Sequence, residues 1–169
     1  SQGVVSNYLH DNLALNDTVK LTHPAGDFTL NKHNKPLVLF TGGVGITPAI
    51  SMLNSEASSG REIHFIHAAL NSDVHAFKDH VAQLTEQHHN IAPLYVYSEP
   101  LTHCQPHSTG FITKELIATQ LSNNANVEFY FLGPLPFMRA ALKIATELGV
   151  PEAQIHHEFF GPNETLQAS

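Results

Sequence analysis

The chain has 169 residues, 42% hydrophobic and only 14% charged, which allows one good core and is too apolar for a disordered protein. A formal charge of −7 with only eight Lys and Arg argues against a nucleic-acid partner, because a phosphate backbone demands cations. No apolar run approaches bilayer-spanning length, so no membrane partner is expected, and the single Cys104 excludes an internal disulfide and fits a reducing cytoplasm.

Val4 to Asp11 predicts a short helix, with Ser6 or Asn7 near its start. Thr18 to Thr22 predicts an antiparallel-type strand with Val19 and Leu21 alternating, and His23 to Phe28 a turn-rich link. Residues 1–30 are too few to fold alone and read as the last part of a preceding β-domain, leaving 31–169 as the main domain. A start at Ser1, without methionine or a signal-like segment, reads as a piece of something longer.

From Pro36 onward strand and helix alternate, the pattern of a parallel sheet wrapped by helices. Leu37 to Phe40 is a continuous apolar strand, and Gly42, Gly43 and Gly45 follow it in a turn through which backbone can approach a ligand closely. Thr47 is placed to cap the next helix and Pro48 to open it, so that amides and the positive helix end face an anion, phosphate being the obvious one. The pattern is neither the three-glycine dinucleotide fingerprint nor a Walker loop, and a turn used only for packing is the competing reading.

The helix from Ala49 closes at Gly60, and Glu62 to Ala69 is the second strand. Ser72 is expected to cap a helix whose inward stripe is Val74, Phe77, Val81 and Leu84. Ile91 to Tyr97 is the third strand, followed by a Pro, Ser and Thr-rich loop from Ser98 to Thr109. Thr113 caps a short helix ending near Leu121, and Val127 to Leu132 feeds a second strand-to-helix turn, Gly133-Pro134. The following helix stops at Gly149, Gln154 to Phe159 is the fifth strand, and Asn163 to Ser169 is a polar tail.

Right-handed crossovers then predict an α/β fold with a five-stranded parallel sheet, order 3-2-1-4-5, and helices on both faces. Its switch point lies between strands one and four, where both glycine-proline turns meet and where ligands of open sheets bind. The thirteen histidines show no metal-ligand spacing, and no metal is expected.

Together these residues resemble the ferredoxin-NADP reductase superfamily, and within it the reductase portion of flavohaemoglobins, the nitric oxide dioxygenases. Gly3 to His10 is similar to a helix of the family's FAD domain, Pro24 to Phe28 to its barrel-closing segment, and Gly43 to Pro48 to its pyrophosphate loop. His67 to Phe77 and Ile155 to Pro162 resemble segments typical of flavohaemoglobins. The resemblance implies that NADH gives hydride to FAD and that electrons pass on to the haem of an attached globin, which converts nitric oxide to nitrate. It further implies that Gly43, Val44, Gly45, Ile46, Thr47 and Pro48 hold the pyrophosphate and that Gly133, Pro134 and Met138 line the nicotinamide side. Ser6 would lie on the flavin-domain helix, Phe160 would cover the flavin with Phe159, Gly161 and Pro162 shaping that wall, and Glu158 would tune the redox potentials.

Three departures stand out: Leu132 where the family commonly has Cys, His157 where Tyr is common, and no Arg-aromatic-Tyr-Ser flavin motif in this sequence. Ala68 to Ser72 offers no cation for a 2′-phosphate, which favours NADH over NADPH. Two other readings stay open: a reductase serving a ferredoxin or an oxygenase, and a nucleotide-binding or partner-docking module without catalysis.

Overall fold

A computed structural model describes residues 3–23, 25–122 and 124–159. Six parallel strands form one sheet: β1 (Leu37–Gly42), β2 (Ile63–Ala69), β3 (Ile91–Tyr97), β4 (Ser108–Thr109), β5 (Glu128–Leu132) and β6 (Ile155–His157), in the order β4-β3-β2-β1-β5-β6. The expected order of five is therefore found with one further edge strand outside β3. That strand is two residues long, and its pairing of Ser108 with Val96 and Thr109 with Tyr97 leaves no periodicity to read in the sequence.

Helices α2 (Ile46–Glu56) and α3 (Lys78–Gln87) cover one face, over Leu37, Leu39, Phe65 and Tyr95. Helices α4 (Lys114–Gln120) and α5 (Leu135–Glu147) cover the other, over Val38, Phe40, Ile66, Phe129 and Phe131. β1 and β5 are buried along their whole lengths, as the continuous apolar runs require. Gly60 and Gly149 adopt the positive φ expected after the helix ends, and the Thr113 hydroxyl accepts from the Leu116 amide at the start of α4.

Three expectations fail. Residues 18–22 form no strand; Val19 and Leu21 are exposed, and no strand among the described residues lies beside them to complete a ladder. The stripe from Val74 to Leu84 is broken, because a 3-10 turn at Ser72–Val74, capped by Asn71, is separated from α3 by Phe77 in the left-handed region. Val74 and Phe77 are then 56% and 46% exposed, while His75 turns inward. The third concerns α2, which starts at Ile46 after a 3-10 turn at Gly43–Gly45, so Thr47 is inside the helix and its hydroxyl donates to the Val44 carbonyl instead of capping.

Helix α1 (Val4–Asn12) forms as expected but buries no residue. The segment between it and β1 is fastened to the sheet from Phe28 onward. Phe28 packs edge-on against Tyr130, whose hydroxyl accepts from the Asn31 amide and donates to the Thr29 carbonyl. Arg61 donates from Nε to the Lys35 carbonyl at 2.5 Å. The buried carboxylate of Glu128 is met by His156 at 2.7 Å, Asn31 at 3.2 Å and the Lys35 ammonium at 3.8 Å. Burial pushes that carboxyl up, but these hydrogen bonds and the Lys35 charge outweigh it and hold it below its ordinary range.

Candidate functional site: the crevice at the strand ends

The carboxyl ends of β1, β2, β3 and β5 open into a cavity of about 410 Å³. Its floor is Phe40, Ala68 and Val96; one end is Leu70, Ser98 and Phe111, the other Pro134, Pro136 and Phe137 with Ala140 of α5. No lining residue is charged. The size and the apolar walls suit an organic ligand. The position suits a nucleotide, because β1 leads to α2 on one face and β5 to α5 on the other, and the crevice opens beside that divergence, on the α5 face.

The three glycines of the first turn do different things. Gly43 has φ +52° with open space where a side chain would be, and it lines the cavity. Val44 beside it is 70% exposed. Gly45 is buried, and a Cβ there would stand against the Leu132 carbonyl, 2.7 Å from the Gly133 nitrogen. The close approach at Gly45 is thus between the two turns of this chain, which is the packing reading for that residue. The amide of Ile46 donates to the carbonyls of Gly43 and Val44, its side chain is in the core, and Pro48 has no N–H. An anion at this helix start would meet amides of the turn and of Thr47.

In the second turn, Pro134 lines the cavity. Met138 does not: it is 0% exposed and packs among Phe129, Ala141 and Ala145 under α5. The residue facing the crevice is its neighbour Phe137, which the sequence reading missed because both are apolar and one position apart on the helix. The aromatic Phe111 was missed as well; it follows Gly110 in the long loop and is 87% exposed at the cavity lip. The departure Leu132 is 1% exposed and absent from the lining.

Ser6 lies exposed on α1, and Glu158 is exposed with Oε1 3.7 Å from where Gly26 would carry a Cβ. Phe159 is half-buried and meets the His157 ring edge-on at 5.6 Å. Phe160, Gly161 and Pro162 lie outside the described residues, as does Pro24. Among the described residues no group of three metal-ligating side chains occurs, and no helix is long and apolar enough to cross a membrane.

A buried polar ladder runs beneath the α2 side of the crevice. Thr41, the residue before Gly42, bonds His67 Nδ1 at 2.8 Å, and Tyr97 bonds His75 Nδ1 at 2.8 Å. The two imidazoles lie 4.4 Å apart, and neither Nε2 has a hydrogen-bond partner among the described residues. The Thr41 hydroxyl donates to the Ile66 carbonyl, so His67 must donate to Thr41 from Nδ1. Burial, reinforced by His75, lowers the pKa of His67 to about 3. Burial, reinforced by Lys78, lowers that of His75 to about 4.

A doubly wound parallel sheet with a crevice of this kind at its switch point defines an α/β nucleotide-binding domain. Residues 39–143 match the family model of the oxidoreductase NAD-binding domain, and the chain belongs to that family. It is 47% identical over 165 residues to a flavohemoprotein of Pseudomonas putida, covering 98% of this chain and 42% of that protein. The chain therefore spans less than half the length of such curated relatives. The solved flavohem-like FAD/NAD-binding domain of nitric oxide dioxygenase from Vibrio cholerae superposes with a TM-score of 0.83 at 34% identity, covering 95% of this chain and 65% of that one. A flavohemoglobin from Malassezia yamatoensis, solved with bound FAD and heme, shares the fold at a TM-score of 0.70 and 23% identity, over 86% of this chain and 39% of that one.

Proposed function

We propose that this chain is the NADH-binding unit of a flavohaemoglobin-type nitric oxide dioxygenase, with residues 1–30 belonging to the end of its FAD-binding barrel and 31–169 forming the nucleotide domain. The observation that carries the reading is an uncharged cavity of about 410 Å³ beside an exposed glycine turn at a helix start, in a chain 47% identical to a flavohemoprotein. The pyrophosphate would lie against the turn from Gly43 to Thr47. The adenosine would lie toward Leu70, Ser98 and Phe111, whose exposed ring offers a surface for base stacking, and the nicotinamide toward Pro134.

NADH held here would supply a hydride for FAD, and the FAD and haem of the parent would supply the electron transfer by which nitric oxide and dioxygen become nitrate. The residues of this chain bind and orient. The turn amides donate hydrogen bonds to the diphosphate, and the apolar walls exclude water from the reacting end. Glu158 disfavours electron gain nearby through its negative charge. Ser6 and Phe159 would face the flavin, and the resemblance extends that role to Phe160, Gly161 and Pro162, which lie outside the described residues. The partners of this unit are then the FAD and globin domains of one parent chain.

Titration calorimetry with NADH and NADPH tests the nucleotide assignment. NADH is expected to bind the more tightly, since a 2′-phosphate would meet no Lys or Arg in the cavity lining. Tighter NADPH binding would overturn that preference, and no binding of either would overturn the assignment. The reading frame upstream of Ser1 tests the parent: a globin-like helical domain is expected, and an iron-sulfur cysteine cluster would replace the dioxygenase with another electron-transfer chain.

A further inference from the structure

Strand β6 is three residues long and lies at the edge of the sheet, with β5 as its single neighbour among the described residues. So short a ladder holds a chain segment weakly, and side chains add to it here. The His156 ring stacks on Tyr130, with centroids 4.3 Å apart at 25°, and its Nε2 donates to Glu128 Oε2 at 2.7 Å. Asn31 of the incoming segment donates from Nδ2 to the same oxygen at 3.2 Å, and from its amide to the Tyr130 hydroxyl at 2.8 Å. Glu128 and Tyr130 of β5 therefore each hold the incoming segment and the outgoing strand together. The two segments meet a second time, where Glu158 Oε1 lies 3.7 Å from the place of a Cβ on Gly26. The Glu128 side chain is 2% exposed, and His156, Asn31 and Lys35 all reach it from those two segments, so a costly buried charge is fully satisfied only when both are seated.

We infer that Glu128 is a positioning residue, joining segment 26–35 to segment 155–159 so that Glu158 and Phe159 keep one place relative to the domain that precedes residue 26. The inference rests on the flavin-side role proposed above for those two residues. Glu128 does not line the cavity, and its effect on the reaction passes through His156 and the chain that follows it. Without the carboxylate, Asn31 and His156 lose their shared acceptor, and the outgoing chain keeps its three-residue ladder and the Tyr130 ring alone. A transfer between two domains depends steeply on their placement, whereas nucleotide binding in the crevice does not pass through this joint.

The test has two arms, each with Val81→Ala, a core truncation under α3, as the control for a general loss of stability. In the 169-residue chain, Glu128→Ala is expected to speed amide hydrogen exchange in 26–35 and in 155–159 together, about tenfold beyond any rise in β1 and β2. Glu128→Gln, which keeps an acceptor oxygen in place, recovers most of that protection. Loosening of one segment without the other, or the same pattern in Val81→Ala, overturns the inference. In the full-length parent, stopped-flow reduction of the flavin at saturating NADH is expected to slow about tenfold in Glu128→Ala, with NADH affinity changed less than about twofold. Val81→Ala keeps the wild-type rate. An unchanged rate in Glu128→Ala overturns the inference and leaves the nucleotide reading standing. A wild-type parent whose flavin NADH does not reduce overturns the flavin reading and the role of Glu128 in the reaction, while the exchange arm still decides whether the two segments are joined. Should circular dichroism show Glu128→Ala unfolded, His156→Phe, which keeps a ring beside Tyr130 and loses the donor, takes its place: 155–159 alone loosens and flavin reduction slows, and an unchanged rate overturns the inference.

Discussion

At the residue scale, the glycines of the first turn look interchangeable in sequence and are not. Gly45 faces the backbone of Leu132 and Gly133, which cannot swing aside as a side chain can, so Gly45→Ala is expected to cost about 2–3 kcal/mol of stability. Gly43→Ala meets nothing within 4 Å and costs only the left-handed backbone strain, about 1–2 kcal/mol. Urea unfolding of the two variants checks the order; a more stable Gly45→Ala would show that the two turns do not touch. The sequence revealed that small residues were needed here, but a glycine beside a ligand and a glycine beside another backbone carry the same letter. Only the register of β1 with β5 tells them apart.

At the element scale, the segment between β2 and α3 departs furthest from its sequence pattern. Spacing at intervals of three and four places Val74 and Phe77 in the core, yet the chain takes a left-handed residue at Phe77 and buries His75 against His67 and Tyr97. Such non-local pairing between β2, β3 and the crossover is invisible to a period count, whereas strands bounded by Gly and Pro and covered on both faces were legible almost to the residue.

The buried pair gives stability a pH dependence. Both imidazoles are neutral in the fold, with pKa values of about 3 and about 4, and in the unfolded chain they protonate near 6.5. The unfolded chain thus binds more protons as pH falls below 6.5, so their contribution is complete above that value and is lost progressively toward pH 4 and 3. Thermal unfolding is expected to show a midpoint falling from pH 7 to pH 4. His75→Phe, which cannot charge, should fall less steeply, and an equal fall would place the acid sensitivity elsewhere.

At the scale of the whole molecule, the sheet divides the labour between its two ends. The carboxyl ends of the strands carry the cavity and both turns, while the buried Glu128, with Lys35, Asn31 and His156 around it, and Arg61, which donates to the Lys35 carbonyl, fasten the incoming chain at the other end. The fastening begins at Phe28, and α1 buries nothing, so deleting residues 1–22 is expected to leave the thermal midpoint of the sheet unchanged within about 2 °C. A larger drop in differential scanning calorimetry would show that α1 supports the domain.

The contact of Gly45 with Leu132 and Gly133 has a historical consequence. Two loops, eighty-seven positions apart in the case of Gly45 and Leu132, act as meshed gear teeth. Gly45 cannot gain a methyl group without the Leu132–Gly133 backbone yielding, so change at this contact must come in matched steps, and novelty is easier at Gly43 or at the freely projecting rim around Phe111.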